Sequence, residues 1–284
     1  MSAEIIDGKE LAHELRISMK GEVLELKRDG LTPHLTVVLV GEDPASRSYV
    51  RGKQKATDET GISSDLIELS VDTSESELLQ LIDKLNEDPS VHGILVQLPL
   101  PEQIGEQKVI ESINPAKDVD GFHPFNIGRM MSGGDTFLPC TPYGILTMLK
   151  SKNIPIEGKH VVIIGRSNIV GKPVGQLLLN ENATVTYCHS RTKDLKNHTT
   201  KADILIVAVG KPNVIKADYV KQGCTVIDVG VNRLDDGSLT GDVDFESVKH
   251  TASYITPVPR GVGPMTITML LKNTIKAAKG LSDN

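Results

Sequence analysis

The chain alternates short apolar runs with amphipathic stretches along most of its 284 residues. Residues 161–164 are a continuous apolar run, and residues 35–40 form another that is interrupted only by Thr36, which is typical of strands buried on both faces of a parallel sheet. Residues 76–86 instead repeat leucine and isoleucine at helical spacing, which predicts an amphipathic helix. Strands that alternate in this way with helices predict an α/β protein with helices on both faces of its parallel sheets.

Capping and turn residues extend this prediction to the rest of the chain. A helix over 8–28 ends at Asp29-Gly30, and a helix that runs to Thr60 has Ser46 as its N-cap and Gly61 as its stop. Residues 114–142 predict a long loop, a type of segment that is often functional. The remaining predicted elements are strands at 66–69, 91–98, 184–188, 204–210 and 225–230 and helices at 107–112, 141–150 and 264–279.

The length supports two domains, and the long loop is the natural boundary between them. We expect two α/β domains that flank a cleft, the first over 1–140 and the second over 141–265. The final helix, 266–284, could pack on either of them, and the sequence does not decide which.

A glycine-rich turn joins the apolar run 161–164 to the helix that follows it. Such a strand, turn and helix bring bare N–H groups and a helix N-terminus to one point, where a phosphate binds. The glycines Gly165, Gly171 and Gly175 are further apart than in the usual G-x-G-x-x-G, so a plain turn of another α/β protein is an alternative. Ser167 stands where the second glycine is expected.

The end of the next strand, 184–188, indicates which nucleotide the turn suits. A site for NAD usually has Asp or Glu at this place to hold the ribose hydroxyls. Here Ser190 and Arg191 follow the strand, and they suit the additional phosphate of NADP. The second domain is therefore predicted to be a Rossmann-type NADP-binding domain.

Composition narrows the classes of function. Hydrophobic residues make up 39% and charged residues 24% of the chain, and the net charge is −6. These values describe a soluble globular protein without the basic footprint of a protein that binds nucleic acid or an anionic membrane. The three cysteines are scattered singly and no signal-peptide pattern is present, so we expect a cytoplasmic protein without structural zinc.

Polar side chains mark the carboxyl ends of two strands predicted in the first domain, where ligands bind in open α/β sheets. Tyr49 and Lys53 lie four residues apart on one face of the helix that follows strand 35–40. Gln97 ends the next apolar strand, and a buried amide needs partners. A lone lysine on a helix is most often exposed to solvent, and a glutamine after a strand often caps a loop. Together, Lys53 and Gln97 instead favour a glutamine amide that orients a ligand or the Lys53 ammonium.

Two further segments could contact a ligand. Asp118 and Asp120 lie two residues apart in the long loop, without a companion His or Glu cluster, so we expect turn chemistry rather than a metal site. A carboxylate also binds a two-donor edge such as that of a pterin. Residues 256–266, before the final helix, are rich in glycine and proline. This composition suits a rigid loop or a close approach of the backbone to a ligand.

Together these segments resemble the bifunctional methylenetetrahydrofolate dehydrogenase/methenyltetrahydrofolate cyclohydrolase family. They follow one another in order over nearly the whole chain, with one departure at Arg260, where many members have Gly. The matching stretches are Pro44-Ala45-Ser46, Ser48-Tyr49-Val50 with Lys53, Gln97-Leu98-Pro99-Leu100-Pro101, 117–124, 165–173, 189–192, 227–230, 241–244 and 256–266.

The resemblance implies two reactions on one carbon atom, which one cleft can serve. NADP oxidises 5,10-methylenetetrahydrofolate to the 5,10-methenyl form, and water then opens the ring to give 10-formyltetrahydrofolate. The hydride step needs mainly orientation of two rings. The hydrolytic step needs proton transfer, for which Lys53 is the best candidate if its pKa is lowered.

The resemblance also implies residue roles and a homodimer. Tyr49 would stack on the folate, Gln97 would bind Lys53, and Asp118 would hold the pterin edge, so these four form the catalytic set. The implied NADP-binding residues are Gly165, Arg166, Ser167, Ser190, Arg191 and Val231. The implied folate-binding residues are Tyr49, Lys53, Val96, Gln97, Leu98, Asp118, Pro259, Gly261, Gly263 and Pro264.

Three alternatives remain at the level of sequence. A dehydrogenase-only member of the family would have lost hydrolysis, which the presence of both Lys53 and Gln97 disfavours. An NADP-dependent reductase of another small substrate would need an acid, and the second domain has no Tyr-x-x-x-Lys. An NADP-sensing protein would bind the nucleotide and turn over no folate.

Overall fold

In the computed structural model, which describes residues 2–282, the alternating strands and helices fold into an α/β protein with parallel sheets, as predicted. The chain divides into two compact units. The first unit comprises His13–Cys140 together with the residues from Ile267 onward. The second unit comprises the residues up to Ala12 together with Thr141–Thr266.

The larger elements lie where the hydropathy pattern predicts them. The helices are α1 (Gly8–Arg28), α2 (Pro44–Thr60), α3 (Glu75–Glu87), α4 (Glu106–Ser112), α5 (Pro124–Met131), α6 (Cys140–Ser151), α7 (Gly171–Asn180), α8 (Leu195–Thr199), α9 (Phe245–Val248) and α10 (Val262–Ser282). The strands are β1 (Glu4–Ile5), β2 (His34–Val40), β3 (Ser63–Leu69), β4 (Gly93–Val96), β5 (His160–Ile164), β6 (Thr184–Cys188), β7 (Ile204–Val207), β8 (Thr225–Asp228), β9 (Asn232–Arg233), β10 (Leu239–Thr240) and β11 (Tyr254–Ile255).

The first unit is built on a short parallel sheet in the order β3-β2-β4. Val37 in the central strand lies level with Leu66 of β3 and Leu95 of β4. Leu78 and Ile82 from one stripe of α3 join a buried apolar cluster with residues of β2 and β4. The carboxyl ends of β2 and β4 therefore meet at one edge of the sheet, where the loops that follow them begin.

The second unit is built on six parallel strands in the order β1-β11-β8-β7-β5-β6. Strands β7 and β8 are buried along their whole length, and β5 is buried from its second residue, which explains their continuous apolar runs. Helix α7 follows β5 after the glycine-rich turn, and β6 lies beside β5 at the edge of the sheet. This arrangement is the predicted Rossmann-type fold.

Each unit includes a piece of chain that is distant in sequence from the rest. The first residues group with the second unit because β1 pairs with β11, with Glu4 level with Tyr254. The end of α10 groups with the first unit, where Asn273 donates hydrogen bonds to the carbonyls of Val119 and Leu138. The predicted ranges 1–140 and 141–265 place the first residues with the first domain and leave the final helix, 266–284, open, because a two-residue strand and a single buried amide leave almost no trace in a hydropathy pattern.

Two local predictions differ from the structure. Helix α2 begins at Pro44 and its N-cap is Asp43, not Ser46, because the Asp43 carboxylate accepts the Ser46 N–H at 2.7 Å. The predicted loop 114–142 contains α5, which begins at Pro124 with the His123 ring as its cap. The predicted stop of α2 is confirmed, since Gly61 has a φ of 79° and its N–H donates to Thr57.

Candidate active site and cofactor site

Helix α2 carries a buried lysine into the first unit. Lys53 is 9% exposed, and its Nζ donates a hydrogen bond to Gln97 Oε1 at 2.7 Å. Gln97 follows β4 directly, and its backbone N–H donates to Val38 of β2, so the amide is held at the carboxyl edge of the sheet. The structure thus brings together two residues that lie 44 positions apart.

The electrostatic surroundings of Lys53 favour loss of its proton. Burial lowers the pKa of Lys53 below its ordinary value, and the carboxylate of Asp120 acts in the opposite direction. One turn earlier on the same helix, Tyr49 is 42% exposed, so its ring is available to a ligand. The arrangement offers a proton-accepting amine beside an exposed aromatic ring.

Backbone pairing brings Asp120 to this place. Ile94 of β4 forms a single parallel bridge with Asp118, which holds the start of this turn beside the strand, and Asp120 lines a small cavity together with Val96. Burial raises the pKa of Asp120 to about 6, although the Lys53 ammonium acts to lower it. The backbone carbonyl of Asp120 accepts the N–H of Cys140, whose buried thiol donates to the carbonyl of Val119 at 3.3 Å.

Asp118 has a different environment from Asp120. Its buried carboxylate accepts four hydrogen bonds, three from its own loop and one from α5, and burial raises its pKa. These bonds use the acceptor capacity of both oxygens and fix the loop that carries Asp120. The four donors are the N–H groups of Gly121, Phe122 and His123 and the side-chain amide of Asn126.

Several of the predicted folate-binding residues lie around one small cavity of the first unit. Val96 and Leu98 line it together with Asp118, Asp120 and Phe122. Asp120 and Phe122 were not among the predicted folate-binding residues. The spacing of Asp118 and Asp120 indicated that both matter, but it did not indicate which of the two carboxylates is committed to the loop.

In the second unit the glycine-rich turn forms a cradle at the end of β5. Gly165 has a φ of 130°, and a Cβ there would collide with the carbonyl of Ala208, while a Cβ at Gly171 would collide with Gly165. The exposed Ser167 accepts the N–H groups of Val170 and Gly171 at 3.2 Å through its hydroxyl. A cradle with no room for a side chain at these two positions fits the close approach of a dinucleotide diphosphate.

A second turn follows β6, the strand next to the cradle. The N–H of His189 donates to Thr192 Oγ1 at 2.8 Å, and the N–H of Arg191 donates to the His189 ring at 3.1 Å. These bonds shape the turn, and both Ser190 and Arg191 are exposed on it. Val231, after β8, is 47% exposed.

The proline- and glycine-rich loop before α10 belongs to the second unit. Gly261 packs so closely on the carbonyl of Pro257 that a Cβ would collide with it. Arg260 has a φ of 84°, and its guanidinium forms an ion pair with Asp7. The other predicted folate-binding residues of this segment are Pro259, Gly263 and Pro264.

Three features concern all of the described residues, 2–282. In this range, no three His, Cys, Asp or Glu side chains are grouped in a way that could hold a metal ion. Within the same described residues, none of the helices has both the length and the apolar character needed to cross a membrane. Cys140, Cys188 and Cys224 are free thiols, and all three are buried.

Comparison with known protein families assigns both parts of the chain. Residues 6–120 match the family described as tetrahydrofolate dehydrogenase/cyclohydrolase, catalytic domain. Residues 139–282 match the family described as tetrahydrofolate dehydrogenase/cyclohydrolase, NAD(P)-binding domain.

Relatives and solved structures agree with this assignment. The bifunctional protein FolD of Oceanobacillus iheyensis is 71% identical over 281 residues, which cover 99% of each chain. The FolD methylenetetrahydrofolate dehydrogenase/cyclohydrolase of Campylobacter jejuni has a TM-score of 0.97 at 52% identity, covering 98% of this chain and 99% of that one. The Trypanosoma brucei enzyme, solved with NADP and an inhibitor, has a TM-score of 0.96 at 36% identity over 100% of both chains.

Proposed function

Because the chain belongs to the tetrahydrofolate dehydrogenase/cyclohydrolase family, we propose that the groups around Lys53 act in both of its reactions. The enzyme oxidises 5,10-methylenetetrahydrofolate with NADP and hydrolyses the 5,10-methenyl product to 10-formyltetrahydrofolate. The observation that carries the proposal is the buried Lys53 amine. Its Nζ lies 2.7 Å from Gln97 Oε1, and the Asp120 carboxylate opposes the lowering of its pKa by burial. The dehydrogenase-only and sensing alternatives are set aside, because both domains match and the relatives are bifunctional.

We propose that Lys53 transfers the proton in hydrolysis. Water forms a bond to the methenyl carbon and gives a proton to the neutral amine of Lys53. The bond between this carbon and one ring nitrogen then breaks, and the proton passes from Lys53 to that nitrogen. The hydroxyl on the carbon loses its own proton to solvent as the formyl C=O forms, so the reaction releases one proton. The lowered pKa of Lys53 supports this role, and the cationic methenyl group would lower it further.

In the oxidation step the protein mainly orients the two reactants. NADP accepts the hydride from the one-carbon bridge of the folate. The exposed ring of Tyr49 supports stacking on the aromatic part of the folate. Gln97 keeps the Lys53 side chain in place through the same hydrogen bond that serves hydrolysis. Correct orientation is sufficient for this step, because no proton needs to be exchanged with a side chain.

We propose that Asp120 rather than Asp118 holds the pterin edge. Four donors, three in its own loop and one in α5, already occupy the Asp118 carboxylate, whereas Asp120 is only partly buried and lines the small cavity with Val96 and Leu98. A free carboxylate accepts two parallel N–H bonds from an amino-pyrimidinone. Asp118 then contributes by shaping the loop.

We propose that the second unit binds NADP and contributes to the folate site. The cradle supports a diphosphate at Gly165, Arg166 and Ser167, and the exposed Ser190 and Arg191 support binding of the additional phosphate. Val231 would contact the nicotinamide end. The residues proposed to line the folate site from this unit are Pro259, Gly261, Gly263 and Pro264.

We propose that the enzyme acts as a cytoplasmic homodimer in purine, methionine and histidine biosynthesis. Three free, buried thiols support a reducing compartment. Strand β6 lies at the edge of its sheet with Tyr187 exposed on it, which supports a surface that a second copy covers. Light scattering of the purified protein tests the dimer, and a monomeric mass would contradict it.

Lys53→Gln tests the proton-transfer role. The glutamine amide still donates toward Gln97 but cannot carry a proton, so hydrolysis of methenyltetrahydrofolate should fall by about 100-fold or more. Reduction of NADP with methylenetetrahydrofolate should fall far less. Lys55→Gln, an exposed lysine of the same helix, should leave both rates unchanged. Full hydrolysis in Lys53→Gln would show that another group moves the proton.

A further inference from the structure

A buried carboxylate in the second unit ties together two loops that are separate in sequence. Asp242 is fully buried and accepts four hydrogen bonds. Three come from consecutive backbone N–H groups, those of Val209 at 2.6 Å, Gly210 at 3.0 Å and Lys211 at 2.9 Å. The fourth comes from the side-chain amide of Asn232 at 2.9 Å. One side chain thus fixes both segments.

The two segments follow neighbouring strands at the ligand-binding edge of the sheet. Val207 at the end of β7 lies level with Asp228 at the end of β8. The β7 loop also touches the cradle, since a Cβ at Gly165 would collide with the carbonyl of Ala208. The β8 loop carries the exposed Val231. Along this edge of the sheet, the turn after β6 is followed by the cradle after β5 and then by the loops after β7 and β8. These last two loops therefore reach the end of the site where the nicotinamide is proposed to lie.

A second carboxylate holds Asp242 itself in place. Asp228 accepts the backbone N–H groups of Asp242 at 3.0 Å and Val243 at 2.9 Å, and that of Gly230 at 3.0 Å. A Cβ at Gly230 would collide with the Asp242 carboxylate, and one at Gly241 would collide with that of Asp228. Glycine at both positions lets the carboxylates and the backbone pack closely, so Asp242 has little freedom to move.

We infer that Asp242 is a positioning residue for the nicotinamide end of NADP, an inference that rests on the proposed placement of Val231. Asp242 holds the loops after β7 and β8 in one arrangement before the cofactor arrives. A pre-ordered site avoids the entropy cost of ordering these loops when the cofactor binds. The ADP end of the cofactor, bound at the cradle and at Ser190-Arg191, does not depend on this clamp.

Only a carboxylate provides this clamp. It has two oxygens with about four acceptor positions and no hydrogen, which matches four N–H donors. Asparagine has nearly the same shape, but its NH₂ group would face backbone N–H groups and leave some of them unpaired. Asp242→Asn should therefore release the loops without leaving a cavity.

The experiment compares two ligands by calorimetry on the full chain. One is NADP, and the other is 2′-phospho-ADP-ribose, which is NADP without its nicotinamide. In Asp242→Asn, affinity for NADP should fall by about tenfold, while affinity for the fragment should stay within about twofold of the wild-type value. Retained fragment binding also shows that the second unit is folded. Asp244→Asn, two residues away, caps α9 and should change neither affinity.

Other outcomes would contradict the inference in distinguishable ways. Equal losses for both ligands would give Asp242 a merely structural role, and unchanged affinities would remove any role in binding. Wild-type protein that binds both ligands equally well would overturn the proposed nicotinamide placement as well. If Asp242→Asn does not fold, Asn232→Ala provides the test instead. It removes only one of the four donors, so it should weaken NADP binding by a smaller factor and leave binding of the fragment unchanged.

Discussion

At the level of single residues, the proposed proton transfer depends on the balance of charge around Lys53. An amine in a buried site loses stabilisation of its charged form, while the neighbouring Asp120 carboxylate restores part of it. Gln97 holds the amine in position without contributing charge. The result is a lysine that can exchange a proton at a pH where an exposed lysine stays protonated.

Asp120→Asn should shift the pH dependence of hydrolysis toward lower pH. The carboxylate raises the pKa of Lys53, so its removal lowers that pKa and makes the neutral amine available in more acidic solution. The pH profile of kcat/KM for methenyltetrahydrofolate measures this shift, and KM should rise because the pterin edge loses its acceptor. Asp58→Asn removes an exposed carboxylate from the same unit and should leave the profile unmoved. A shift toward higher pH in Asp120→Asn would contradict the account.

The sequence predicted the partners of this site only in part. Tyr49, Lys53 and Gln97 could be placed together, because helical spacing and the parallel-sheet rule locate them at one edge. Asp118 and Asp120 could not be told apart. Their roles depend on hydrogen bonds from Asn126 and from the turn that follows, and no spacing rule contains those contacts.

At the level of elements, helices and strands hold the site residues at fixed places. Helix α2 starts at Pro44, directly after its N-cap Asp43, and carries Tyr49 and Lys53. Helix α10 supports the loop of Asp120, because Asn273 donates to the carbonyls of Val119 at 2.8 Å and Leu138 at 3.0 Å. The helix itself was evident from sequence, but its partner was not, since a single buried amide determines the contact.

Asn273→Ala should destabilise the first unit and weaken folate binding. Two buried carbonyls lose a donor, which costs about 1–3 kcal/mol, and the loop that carries Asp120 loosens. Chemical denaturation measures the free energy of unfolding, and the KM for methenyltetrahydrofolate reports on the loop. Asn180→Ala, an exposed helical asparagine, should cost less than about 0.5 kcal/mol. Equal effects of the two substitutions would remove the supporting role of Asn273.

At the level of the whole molecule, the α/β class and the Rossmann-type unit could be predicted because buried apolar strands form the centre of each parallel sheet. The short elements could not, since β1, β9, β10 and β11 have only two residues each. The grouping of the first twelve residues with the second unit depends on one of them. The sequence pattern therefore identifies the framework, and the contacts of short segments complete it.

The central claim is that one folate site around Lys53 performs both reactions. A competitive inhibitor tests it directly: 5-methyltetrahydrofolate has no 5,10 bridge and should be neither oxidised nor hydrolysed. Its inhibition constant is measured separately against NADP reduction and against methenyltetrahydrofolate hydrolysis. One shared site predicts the same constant in both assays within about twofold, whereas constants that differ by about tenfold or more, equal to about 1.4 kcal/mol of binding free energy, would show two separate sites.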